Sequence, residues 1–440
     1  MRRKTVPFGV TELLVCFFAQ PLLILRSLDC FLRDRYSYSV RLYRSSCDAL
    51  KNDKVGDDML RMPVKRKRKE ERRPNLFAVS VALGISFFIS LVLIVLREIA
   101  FKNASVADVY SAKISQPIAA IWSIPVNLLP FSLTEMIAVI GLLVVIALTV
   151  RGIVRFITRP SWRWQRLLKT ALVVLTIALV ALSLFIAFHG IHYARSPLAD
   201  SLGLTVRERS CEELERATVA FARAASEARD GLPEDKNGVL AIDSPQMLFK
   251  DSYRGWERAS EVFPALESAI RPMPKGVILS HYWSYTHIVG MYMPLFIEVN
   301  VNTDQPGFAI PAIAAHEIAH ARGFAREDDT NLAGYISCFY HPDPIWRYSG
   351  LVSAWKQLSN KLYEEDQERW SNAYAYITPA VARDLKAERE YWKAFETPVA
   401  TFSTAVNDAY LKANKEAAGV KTYGQVVDLL LAYIETAGDP

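Results

Sequence analysis

Three stretches of this chain, Leu76 to Leu96, Phe131 to Val150 and Leu167 to Phe188, are each about 20 mostly apolar residues long, enough for an α-helix to cross a hydrocarbon core of about 30 Å. Backbone polar groups find no water in that core, so each stretch has to be a helix that satisfies its own N–H and C=O groups. The pattern sets the outline of the chain: membrane spans within residues 76–189, then a polar remainder from Ser196 to Pro440. Glu135 lies one turn inside the second stretch and is read as an interfacial residue reaching the headgroup layer. Ile118 to Leu129 is apolar but short and holds Trp122 and Pro125, as expected of a re-entrant or interfacial piece.

Basic residues set the orientation. Lys65-Arg66-Lys67-Arg68-Lys69, with Arg72 and Arg73, makes 62–75 a basic cytoplasmic segment, and Arg151, Arg155, Arg159, Arg163, Arg166 and Lys169 mark the turn between the second and third spans. Lys and Arg are retained on the cytoplasmic side, so everything beyond about His189 is expected outside the cytoplasm of a multi-pass cell-membrane protein. Most of the formal charge of +6 lies beside spans, where it anchors the chain to the lipid bilayer, and no nucleic-acid partner is expected. Residues 1–61 fit poorly: Gly9 to Leu25 is apolar but holds Glu12 and Pro21 and is followed by five arginines. They are read as a peripheral cytoplasmic arm or an over-extended start. Five cysteines in 440 residues exclude a disulfide scaffold; Cys211 and Cys338 are the two external ones and could pair.

The remainder, 196–440, reads as mainly helical, of α+β type, with a small sheet. Thr205 to Arg229 is dense in Glu, Arg and Ala with apolar residues at helical spacing, and further helices are expected beyond Ile345. Gly276 to Leu279 and Pro294 to Asn302 are rich in Val, Ile and Phe and are expected to be strands.

The chemistry concentrates just after them, in His316-Glu317-Ile318-Ala319-His320. On a helix the two histidines stand one turn apart on one face and can share a Zn2+ ion, while Glu317 is rotated about 100° and can act as general base. A catalytic zinc site needs a third protein ligand and an open position for water. If Leu332, Ile336 and Phe339 form the buried stripe of a following helix, extrapolation brings Asp328 or Asp329 onto the same face, and periodicity does not separate them.

At this point the sequence resembles a family of uncharacterised bacterial multi-span membrane proteins with an external zincin-like, gluzincin-like metallopeptidase domain. The resemblance is carried by PKGVILSHYWSY, GMYMP, IEVNVNTDQPGFAIP and HEIAHARGFAREDDTNLAGYISC, and more weakly by YGQVVDLLLAY. The family's pattern after the histidines is similar to R-E-D-E-A-N, which implies that the acidic ligand falls on Asp329, with Asp in place of Glu. Glu327 and Asp328 are the neighbouring alternatives.

Four further residues have candidate roles. Tyr335 is a candidate catalytic hydrogen-bond donor to a tetrahedral oxyanion, against simple packing. Glu298 and Asn300 are expected to bind substrate from an edge strand, and Arg326 to bind a substrate carboxylate or to orient the acidic ligand. His189 and His192 read as interfacial; His281, His287 and His341 are reserve ligands. The resulting expectation is a membrane-anchored zinc metallopeptidase acting on peptides or envelope proteins. The competing one is a non-catalytic, metal-stabilised envelope binding or sensor module.

Overall fold

A computed structural model describes residues 74–158, 161–416, 426–438 and 440; the readings of 1–61 and of the basic run before Pro74 lie outside them. The described residues divide into two units, one containing Val144–Leu167 and the other Leu76–Leu143 with the described part of Leu168–Pro440. The second unit holds the sheet and the helices of the polar remainder, together with the ends of the apolar helices nearest them.

The protein is mostly helical. Among the described residues three helices, α1 (Phe77–Lys102), α3 (Leu133–Thr158) and α4 (Arg163–Phe185), are long and apolar enough to cross a bilayer. Between α1 and α3 lie a short helix, Ala104–Tyr110, and α2 (Gln116–Asn127), which contains Pro125. α2 turns its small face, Ala119 and Ser123, inward and its Ile121 and Trp122 outward. α4 continues into a π-helical turn, Ile186–Gly190.

In the polar remainder, α5 (Cys211–Arg229) begins with a capping box in which Ser210 and Glu213 satisfy each other's backbone N–H groups. The sheet has three short strands, β1 (Lys275–Gly276), β2 (Gly290–Met293) and β3 (Glu298–Val301), in the order β1-β3-β2. β3 is parallel to β1 and antiparallel to β2. Sequence reading placed strands at 276–279 and 294–302; the stretch before Glu298 is instead a turn, and Gly290–Met293 supplies a strand that was not expected. α6 (Ile310–Ala321) packs on β2 and β3 and against α7 (Glu327–Phe339), which in turn packs on α8 (Pro344–Glu365). α8 lies along α5, and Phe221, Ala222, Val352 and Leu358 share one core with Leu332 and Ile336 of α7. α9 (Pro398–Ala413) brings Tyr410 against Phe185 at the end of α4.

Two carboxylates tie α3 to the sheet. Glu298 accepts hydrogen bonds from the N–H groups of Leu133 (2.9 Å) and Thr134 (2.7 Å), capping a helix whose first N–H groups have no partner of their own. Its charge is balanced by Lys275 at 2.9 Å, and both side chains are almost fully buried. Glu135 is also buried, and it accepts from the N–H groups of Ile278 (2.8 Å) and Leu279 (2.7 Å) just beyond β1.

Candidate metal centre

α6 places His316 and His320 on one face because they are four residues apart, and Gly334 lets α7 come close enough to meet them. A Cβ on Gly334 would lie 3.1 Å from the His316 nitrogen of the main chain. The side of α7 that faces α6 is Glu327, Asn331 and Gly334, spaced four and three residues apart. Glu327 is the acid that joins the histidines: the ligand atoms of His316, His320 and Glu327 all lie within 4.8 Å of one another.

Two of the three separations lie near those a metal requires, and the third is no more than 4.8 Å. Glu327 Oε2 is 3.3 Å from His316 Nε2 and 3.7 Å from His320 Nε2. A tetrahedral ion with bonds of about 2.1 Å holds its ligand atoms about 3.4 Å apart. Both rings are also fixed in the required tautomer. His320 Nδ1 donates to the Phe324 carbonyl at 2.9 Å, and His316 Nδ1 faces Asn331 Oδ1 at 2.9 Å. With the Nδ1 protons committed there, the Nε2 lone pairs converge on Glu327 Oε2, a buried oxygen that has no hydrogen-bond partner among the described residues. Lone pairs facing a carboxylate attract a proton or a cation. Burial alone would depress His320's proton affinity, but the Glu327 carboxylate more than offsets this and brings its pKa to about 9. Burial likewise opposes the Glu327 charge, and the two imidazoles nevertheless hold its carboxyl well below the usual range.

Glu317 points to the side of this cluster, against β2. A Cβ on Gly290 would lie 2.6 Å from Glu317 Oε1, so only glycine leaves the carboxylate its place. Burial pushes the Glu317 carboxyl above its ordinary value, against the pull of His316 and His320 and a hydrogen bond from the Tyr292 main chain. A proton acceptor with raised affinity thus stands beside three convergent ligand atoms.

Several sequence expectations are corrected. Asp329, two residues on from Glu327 and so about 200° around the helix, accepts from the Leu198 N–H at 3.0 Å and pairs with Arg326. Asp328 Oδ1 accepts from the Asp329 N–H at 2.8 Å. Arg326 donates to the Arg195 carbonyl at 2.8 Å, so it binds the chain leaving α4 and is not free for a substrate carboxylate. Tyr335 lies eight residues beyond Glu327, about 12 Å along the helix, and its hydroxyl bonds Gln357 within the core. β3 is the central strand and not an edge: Glu298 is the α3 cap, and Asn300 is fully buried with its Oδ1 2.5 Å from Ser132 Oγ. The edge beside Glu317 belongs to β2. Cys211 and Cys338 are both free thiols. Of the reserve histidines, His281 faces Asp304, His287 faces the Phe395 carbonyl and His341 stacks on Trp346.

Two further residues bear on the site, His189, which the sequence reading placed at the membrane interface, and one that it did not single out. His189, in the π-turn ending α4, is buried with its ring edge-on to His320 at 5.4 Å, and its Nδ1 has no hydrogen-bond partner among the described residues. π-turns within α-helices recur at functional sites, which sequence periodicity does not reveal. Tyr410 is the other. Burial, with a smaller contribution from the Glu327 and Glu317 carboxylates, raises its phenol well above the ordinary value, so it remains an O–H donor.

A family model described as "Protein of unknown function (DUF3810)" matches residues 110–431. The chain belongs to the DUF3810 family. No curated protein and no solved structure matches it. The DUF3810 match takes in α3, α4, the sheet and both helices that carry the His–His–Glu cluster.

Proposed function

We propose that this DUF3810 protein is a membrane-anchored, zinc-dependent metallopeptidase with a zincin-like site, its polar remainder lying outside the cytoplasm of a multi-pass membrane protein. The observation that carries the reading is the convergence of His316 Nε2, His320 Nε2 and Glu327 Oε2 with their outer atoms already committed. The donor set fits Zn2+: two imidazoles and one carboxylate, with Glu327 Oε2 at 3.3 and 3.7 Å from the two Nε2 atoms. When bound there, zinc supplies Lewis acidity, which polarises a peptide carbonyl and makes water a stronger acid.

The chain's own groups do the rest. Glu317, buried and outside the ligand set, takes a proton from the attacking water and returns it to the leaving amine. The raised pKa of Glu317 suits that two-way transfer. The free side of β2 lies beside Glu317 and gives an extended peptide main-chain groups to pair with. A carboxylate that is not a ligand yet stands next to the ligands favours catalysis over a purely structural metal, which is normally closed by a fourth protein ligand. The test is Glu317→Gln in the full-length protein. Zinc content should stay at the wild-type level while hydrolysis of a peptide library falls about 10²–10⁴-fold; undiminished hydrolysis refutes the mechanism.

A further inference from the structure

We infer that the site works at the level of the hydrocarbon boundary and takes as substrate a polypeptide tethered in or to the bilayer, cut within a few residues of where it leaves the lipid. This rests on the peptidase reading and adds the class of substrate.

Three rulers give the depth. Counting about 20 residues, or about 30 Å, along α4 from Lys169 reaches His189, whose ring touches that of His320. The first apolar run ends at Arg97, whose Nε donates to the Gly190 carbonyl at 3.2 Å, one residue beyond His189. The second run, read backwards from Arg151 for about 18 residues or about 27 Å, ends at Leu133, where Glu298 of β3 caps it. β3 packs directly on α6. All three spans therefore end against the elements that hold the His–His–Glu cluster, with no stalk between. The loop after α6 is bound in the same way: Gln116 of α2 donates to the Arg322 carbonyl at 2.6 Å, and Arg195 to the Gly323 carbonyl at 2.8 Å.

The surface at this level is apolar. Ile121 and Leu128 are more than two-thirds exposed, Trp122 is half exposed, and Ile278 and Tyr282, beside the start of α3, are also largely exposed. Apolar residues with Trp and Tyr at the ends of spans fit a headgroup layer. A soluble peptide reaches such a site only by leaving bulk water for the lipid surface. A tethered one is present there at a millimolar effective concentration for a short flexible linker.

The test uses the full-length protein in nanodiscs of phosphatidylcholine and phosphatidylglycerol. One fluorogenic peptide sequence is offered in three forms: soluble, on a lipid anchor with about 4 intervening residues, and on the same anchor with about 25. The short-tethered form should be hydrolysed at least about 10²-fold faster than the soluble form and faster than the long-tethered one. Equal hydrolysis of all three overturns the inference while leaving the peptidase reading intact. Hydrolysis of none, in zinc-replete protein, sinks both. A readout independent of activity is the fluorescence lost in Trp122→Phe: in wild type that component should be quenched by lipids brominated near the headgroup. If it is untouched by them, the assigned depth is wrong.

Discussion

Glu327→Gln removes one charge from the cluster while keeping the side chain's size, and so tests which acid completes it. A ligating carboxylate, its charge centred about 2.8 Å from a divalent cation, attracts it by about 12 kcal/mol at an effective dielectric of about 20. Dehydrating the ion and the carboxylate takes back most of this, leaving about 4 kcal/mol, or about 10³-fold in affinity. Glu327 Oε2 faces both Nε2 atoms, whereas Asp329 is spent on Arg326 and the Leu198 N–H. Asp329→Asn should therefore change zinc affinity by less than about 10²-fold, the range for groups that only support a ligand. The assay is chelator competition on full-length protein, with metal content read by mass spectrometry. Wild-type affinity in Glu327→Gln together with zinc loss in Asp329→Asn would show that Asp329 is the ligand and that the geometric argument fails.

Three further outcomes follow from the same contacts. Gly290→Ala places a methyl group where Glu317 Oε1 now lies, so zinc should stay bound while turnover drops about 10²-fold; unchanged turnover would detach Glu317's position from the chemistry. Glu298→Ala leaves Lys275 buried without its counter-charge and uncaps α3, which should destabilise the protein by about 3–5 kcal/mol in thermal or denaturant unfolding. A change below about 0.5 kcal/mol would mean that the pair is not buried as described. Residues 196–440 expressed alone lose His189, Gln116, Glu135 and α2 from their own core, so they should aggregate and bind zinc more weakly than the full chain. A monodisperse fragment with full affinity contradicts this.

The sequence by itself determined the three apolar helices and the pairing of His316 with His320. Both depend on local patterning: about 20 mostly apolar residues can only be helical in lipid, and residues i and i+4 always share a helix face. Helix-rich composition beyond Ser196 and a small sheet near 275–301 were legible for the same reason. What joined those local pieces was not. The hydrophobic stripe of α7, Leu332 and Ile336, faces the core, but the side that meets α6 is polar and small, Glu327, Asn331 and Gly334. Apolar spacing therefore pointed to Asp328 or Asp329, and the family resemblance to Asp329, whereas the acid that meets the histidines is Glu327. Strand order decided that Glu298 and Asn300 serve the start of α3 instead of a substrate, since a central strand has both edges paired. The approach of His189 to His320 spans more than a hundred residues of chain and needs a π-turn at the end of α4. Only tertiary structure brings such residues together, because nothing within a few residues of either one encodes where the other will lie.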